Sequence, residues 1–207
     1  FNGGIRLVGM YKAGMHVRQV RGDFPEYRNF ILPSEACRHV MSLFKDTVSA
    51  QIRATENSFT MQSDRAWYRS KLVEGEFMPY RKIIEMDRPN SATVDPVELL
   101  ASIKRACAIR DDGKGHRLKC VVSDGSIHIS MRNMDGEESA DECRVEIDGD
   151  DGDFSLFPPR LISALETLEC GTIRISYLDR TRAVVFSPIN SDVENFRVLQ
   201  PMIDHGR

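Results

Sequence analysis

The chain has 207 residues, 41% of them apolar and 29% charged, with a formal net charge of −3, which suits one large or two small soluble domains. No apolar run approaches the roughly 18 residues of a membrane span, and no secretory signal is visible. The five cysteines (Cys37, Cys107, Cys120, Cys143, Cys170) include no Cys-x-x-Cys pair, and His16, His39, His116, His128 and His205 fall into no ligand spacing, so free thiols in a reducing cytoplasm are expected and a zinc site is not.

The first twenty residues alternate as strands do, around a turn at Ala13-Gly14. In PSEACRHVMSLFKD, Pro33 to Asp46, Ser34 is placed to cap a helix with Ala36, Val40, Met41, Leu43 and Phe44 on its apolar face and Arg38 and Lys45 off it. AQIRAT, FTMQS and WYRSKLV then alternate as three strands, and SKLVEGEFMPYRKII, Ser70 to Ile84, turns at Gly75 into a dense apolar and basic stretch. Glu85 to Thr93 is polar, contains Pro89-Asn90-Ser91, and reads as a linker.

A second unit opens with DPVELLASIKRACAIR, where Asp95 caps a helix, Pro96 takes its first position, and Lys104 and Arg105 lie off its apolar face. HRLKCVVS and SIHISMR flank Asp124-Gly125, a strong hairpin signal. ECRVEID is a third strand, FPPRLISALETL a second helix, and TIRISYL, RAVVFSP and NFRVLQPM close the chain as strands. A helix followed by hairpin strands thus occurs twice, which predicts an α+β fold of tandem repeated domains with helices on one face of antiparallel sheets, the first copy being incomplete at its front.

SKLVEGEFMPYRKII resembles the segment ending the middle domain of the bacterial sliding clamp family, the beta subunit of DNA polymerase III. There the pattern is Ser-Lys-Leu-(Val/Ile)-(Asp/Glu)-Gly-x-Phe-Pro-x-Tyr-x-(Arg/Lys). NFRVLQPMI resembles the family's closing strand, FPPRLISALETL its last helix, and the opening FNGG its Leu-Asn-Gly strand. The resemblance implies a DNA-clamp fold, with residues 1–84 as an incomplete middle domain and 85–207 as the carboxy-terminal domain. It also implies a non-catalytic processivity factor in the bacterial cytoplasm, nucleoid-associated, without cofactor, metal or membrane. Full-length subunits would close as a homodimer ring around duplex DNA, without reading sequence, and tether polymerase and clamp-loader subunits. A chain without a first domain is not expected to close that ring by itself.

Carried over residue by residue, a hydrophobic pocket between the two domains would receive short partner peptides of Gln-Leu-x-Leu-Phe type. It would use Gly14, Met15, His16 and Val17 from the early turn, Met78, Lys82 and Ile83 from the dense stretch, Thr181 and Ala183, and Val198, Leu199, Gln200, Pro201 and Met202 from the last strand, with Phe1 and Lys12 nearby. Arg38, Lys45, Lys104, Arg105 and Arg160 are the candidate DNA-facing cations, since a sliding ring needs loose phosphate contacts rather than base contacts. The sequence departs from the family at the early turn, where Lys12-Ala13-Gly14-Met15-His16-Val17 replaces Thr-Asp-Gly-His-Arg-Leu, and at Pro79, which stands one place late. Gly14 is kept, as a tight turn needs.

A diverged clamp-like module that binds protein partners without encircling DNA is the alternative reading. Asp148 to Asp153 resembles a calcium loop in composition but lacks the later Glu, and reads as a solvated turn. Asp111 to Arg117 has no Walker spacing. No catalytic Ser-His-Asp or Cys-His pairing stands out around His16, Cys37 or elsewhere.

Overall fold

The computed structural model describes residues 4–22, 29–109, 117–133, 135–191 and 194–203. In chain order the elements are β1 (Gly4–Tyr11), β2 (Gly14–Arg21), α1 (Ser34–Leu43), β3 (Gln51–Ala54), β4 (Ser58–Gln62), β5 (Trp67–Lys71), α2 (Arg81–Ile84) and β6 (Asn90–Val94). There follow α3 (Pro96–Ala106), a 3₁₀ turn at Cys107–Ile109, β7 (Leu118–Ser123), β8 (Ser126–Arg132), β9 (Glu138–Arg144), β10 (Glu146–Asp148), β11 (Gly152–Leu156), α4 (Pro158–Glu166), β12 (Ile173–Tyr177), β13 (Val184–Pro188) and β14 (Asn195–Leu199). Phe1, Arg110, His116 and His205, and nearly all of the Asp111–Arg117 stretch, lie outside the described residues.

Two compact units emerge: Phe1–Gly22 with Arg81–Arg207, and Asp23–Tyr80. The first 22 residues group with the carboxy-terminal segment because β2 pairs with β14, Val198 opposite Met15 and Leu199 opposite Gly14. The larger unit holds a seven-stranded antiparallel sheet, β1-β2-β14-β13-β12-β6-β10, and a four-stranded one, β11-β7-β8-β9. Alternation places Leu118, Cys120 and Val122 opposite Met131, Ile129 and Ile127, all buried. These pack in one core with Leu99, Ile103 and Ala106 of α3 and Leu161, Ala164 and Leu165 of α4. Asp95 caps α3, accepting from the Val97 N–H at 2.7 Å. Asp124 (φ 53°) and Gly125 (φ 73°) form the left-handed pair that a two-residue hairpin requires.

The smaller unit carries α1 and the three-stranded sheet β3-β4-β5. Here the expected apolar face needs correction. Ala36 and Phe44 are buried, whereas Met41 and Leu43 are exposed. Ser34 makes no capping bond; α1 begins directly after Pro33.

Two further expectations are overturned. The stretch read as a linker to Thr93 contains β6, an interior strand held between β10 and β12, with Asn90, Ser91 and Ala92 buried. Its polar side chains concealed it, but Asn90 is satisfied inside, where its Oδ1 accepts from the Asp150 N–H at 2.9 Å. The second concerns the strand before the acidic turn, which is itself exposed over Asp148–Asp151 as a solvated turn should be. ECRVEID is split between β9 and β10 in different sheets, and Gly152 and Asp153 begin β11. Gly149 makes the reversal at φ 96°, where a Cβ would lie 2.6 Å from Asn90 Oδ1.

Candidate functional site

Within the larger unit, two polar side chains gather the segments that the sequence assigned to the peptide pocket. Arg88, absent from that set, donates from Nη2 to the Ile83 carbonyl (2.7 Å), from Nη1 to the Met86 carbonyl (2.9 Å) and from Nε to the Ala183 carbonyl (3.0 Å). It therefore fixes the four-residue helix α2 and the start of β13 in one frame. Gln200 does the same on the other side. Its Nε2 donates to the Thr181 carbonyl at 2.6 Å and its backbone N–H to the Ala13 carbonyl at 3.0 Å. The Met202 N–H is held by the Ser155 carbonyl at 2.7 Å.

The expected residues divide by exposure. Met15, Val17, Val198, Leu199 and Pro201 are buried; Met15, Val17 and Val198 share one face of the β2–β14 pair, and Leu199 turns to the other, into the main core. Lys82, Thr181 and Gln200 are exposed, and Gly14, His16, Ile83, Ala183 and Met202 are half-buried. Met78 belongs to the smaller unit, where it is exposed. Two shallow hollows lie elsewhere, one lined by residues such as Gln19, Ser187 and Phe196 and the other by Glu98, Arg105 and Cys143.

Gly14 is required for a reason other than its turn. Its backbone is not in the left-handed region, but a Cβ there would collide with the ring of Tyr11. That ring meets His16 edge-on, centroids 5.7 Å apart, and carries the Arg160 guanidinium 5.7 Å from its centroid. Arg160 also lies over Phe157. Behind them Arg197 is almost wholly buried, donating to the Thr167 carbonyl at 2.7 Å, to Thr167 Oγ1 at 2.9 Å and to Asn195 Oδ1 at 2.6 Å. Thr167 is the C-cap of α4, so the cation sits where the helix dipole favours it. Burial and the nearby Arg197 hold the His16 imidazole down to about 4, and its Nε2 is buried without a hydrogen-bond partner among the described residues. Burial raises the Tyr11 hydroxyl, against the pull of Arg160 and Arg197.

The family model described as DNA polymerase III beta subunit, C-terminal domain, matches residues 81–202, more than half of the chain. The chain belongs to the DNA polymerase III beta subunit family. The beta sliding clamp of Streptococcus pneumoniae serotype 4 is 21% identical over 174 residues, covering 83% of this chain and 46% of that protein. That of Bacillus subtilis is 23% identical over 181 residues, covering 85% and 48%. The chain spans about half the length of the curated relatives it matches. Among solved structures, the Pseudomonas aeruginosa DNA polymerase III subunit beta superposes with a TM-score of 0.90 at 18% identity, over 98% of this chain and 56% of that one. The Bacillus subtilis DNA polymerase sliding clamp gives 0.90 at 20%, over 98% and 55%. The fold is that of the clamps, α+β with helices against antiparallel sheets.

On this beta-subunit chain the five candidate DNA-facing cations differ in their engagements. Lys104 pairs with Glu166 at 2.9 Å, and Arg105 forms a two-pronged pair with Asp141 while also donating to Ser102. Asp141 is held below the usual carboxylate range by that guanidinium. Arg160 is stacked on aromatic rings. Arg38 and Lys45 are exposed and have no ion-pair partner among the described residues. Arg88 and Arg197 went unnoticed in the sequence. The only signal for Arg197 is a charged residue at an inward position of an alternating strand, and for Arg88 there is none.

Proposed function

We propose that this chain is part of a sliding clamp, a non-catalytic processivity factor that as a full-length homodimer ring encircles duplex DNA. In this reading residues 1–84 belong to the middle domain and 85–207 to the carboxy-terminal domain. The clamp holds the polymerase, clamp-loader subunits and other replication and repair proteins through short peptides, in the cytoplasm at the nucleoid. The observation that carries this is the family match over residues 81–202. A tethered enzyme rebinds its template many times before release, because the ring keeps its effective concentration high.

The peptide site is assigned to the surface framed by Arg88 and Gln200, to which Gly14, His16, Lys82, Ile83, Thr181, Ala183, Gln200 and Met202 contribute partly or fully exposed residues and Met15, Val17, Val198, Leu199 and Pro201 buried support. Arg38 and Lys45 are the foremost candidates for phosphate contact. The pairing of Lys104 and Arg105 with acids favours a second reading, a clamp-like module that binds protein partners without encircling DNA.

A labelled Gln-Leu-x-Leu-Phe peptide tests the site by fluorescence polarisation. Saturable binding that Met202→Ala weakens is expected; no binding, or binding indifferent to Met202→Ala, refutes the pocket. For DNA, the full-length protein should be retained on circular duplex and lost from linear duplex. Equal loss from both decides for the second reading.

A further inference from the structure

We infer that Arg88 is a positioning residue of the peptide site, and that peptide affinity depends on its guanidinium seating α2 against the segment that leads into β13. This rests on the clamp reading above and adds the residue that shapes the site. The helix α2 is a single turn, closed by the Glu85 N–H donating to the Arg81 carbonyl at 2.8 Å. A helix so short has no stability of its own, and none of its four side chains is buried. Its last carbonyls need donors from outside the helix. Arg88 supplies one: Nη2 donates to the Ile83 carbonyl at 2.7 Å, and Nη1 donates to the Met86 carbonyl just beyond the helix at 2.9 Å. A cation also suits the negative end of a helix dipole.

The rest of the guanidinium reaches a second segment. Nε donates to the Ala183 carbonyl at 3.0 Å. Ala183 adjoins Val184, which is wholly buried and pairs with Leu199, so that carbonyl is fixed to the seven-stranded sheet. Gln200 Nε2 holds the Thr181 carbonyl two residues earlier. Residues 181–183 are thus gripped twice, by Gln200 from the last strand and by Arg88 from the α2 side. Arg88 is itself rooted in the same sheet, since Asn90, two positions on, opens the interior strand β6. All of these partners are neutral carbonyls, so Arg88 contributes the geometry of its fork rather than its charge. Lysine would keep the charge without the fork. Lys82 and Ile83, the α2 residues assigned to the peptide surface, therefore take their places through Arg88. Met202 is placed by another route, its N–H held by the Ser155 carbonyl of β11.

A double-mutant cycle with the labelled Gln-Leu-x-Leu-Phe peptide, read by polarisation, tests this. Ile83→Ala alone is expected to weaken binding about fivefold, the size at which an interface side chain counts as a contributor. Arg88→Met should cost at least as much, and adding Ile83→Ala to it should cost nothing more, because α2 is already displaced. Met202→Ala should keep its full effect in the Arg88→Met background. Arg88→Lys should bind about as weakly as Arg88→Met. Wild-type affinity in Arg88→Lys would show that charge suffices, and it overturns the inference. So does an Ile83→Ala effect that is the same with and without Arg88. Loss of the Met202→Ala effect in Arg88→Met, or failure of both Arg88 variants to fold by circular dichroism, makes Arg88 a residue of the fold at large and also overturns it. A wild-type protein that binds the peptide and responds to Met202→Ala but not to the Arg88 variants sinks this inference alone. A wild-type protein that does not bind the peptide overturns the pocket and the inference together.

Discussion

Replacing Gly14 by Ala should destabilise the larger unit only while Tyr11 is present. The backbone at Gly14 is ordinary strand, so Ala fits it, and a Cβ there meets only the far end of the Tyr11 ring. Displacing that ring gives up its edge contact with His16, worth about 0.5–1.5 kcal/mol, and the Arg160 contact, worth about 0.5–1 kcal/mol at a partly exposed site. Against this, Ala restricts the unfolded chain and returns about 0.4–1 kcal/mol. The net expectation is a loss of about 0–2 kcal/mol, centred near 1 kcal/mol. In a Tyr11→Ala background the collision is gone and only the entropic gain remains, so the sign reverses. The assay is a double-mutant cycle by urea unfolding followed by far-ultraviolet circular dichroism, with m-values compared to guard the two-state treatment. The fluorescence of Trp67, the single tryptophan, is a poor probe because it lies in the smaller unit. If Gly14→Ala costs the same with and without Tyr11, the glycine serves the backbone and the aromatic explanation fails.

Leu199→Ala removes a side chain buried in the core of the larger unit and should cost about 2–5 kcal/mol of stability; a melting temperature like that of the wild type would mean that the strand end is loosely packed. Gly149→Ala should destabilise by roughly 1–3 kcal/mol, because it combines a left-handed backbone with collision against Asn90, and amide exchange in β6 and β10 should rise; unchanged exchange would show that the reversal tolerates a side chain. The His16 pKa is about 4 in the folded chain and about 6.5 when exposed, so the unfolded state binds the extra proton between those values. Stability from this group should be complete above about pH 6.5 and fall as the pH drops toward 4, and His16→Gln should flatten that slope; a titration of the His16 ring near 6.5 by NMR would contradict the burial account.

Local chemistry made much of the fold legible. Asp95 with Pro96 announced α3, Asp124-Gly125 announced its hairpin, and alternation marked β7, β8, β12, β13 and β14. The polar strands escaped. Asn90 and Ser91 look like linker residues because their burial depends on partners far along the chain, and Gly152-Asp153 look like a solvated turn until β7 pairs with them. Helical spacing in α1 marked Met41 and Leu43 as core, but a small three-stranded unit has too little sheet to cover them. At the candidate site the segments were recognisable from motif resemblance, whereas the exposure of individual residues was not. Leu199 and Gln200 are adjacent, yet strand geometry buries the first and presents the second. Arg88 and Arg197 act through carbonyl oxygens, which any sequence supplies, so no pattern marks them.

The β2–β14 pairing also has a consequence for synthesis. Gly14 must wait for Leu199, 185 positions later, before the seven-stranded sheet can close. At about 5–20 residues per second, the ribosome leaves the early hairpin without that neighbour for about 10–40 s. During this interval one edge of β2 is open to pairing with other chains. The hairpin partner β1 occupies its opposite edge throughout, which halves the surface at risk. Slowing the ribosome across the last hairpin should therefore increase aggregation of the nascent protein more than slowing it by the same time within β1, before β2 has been made.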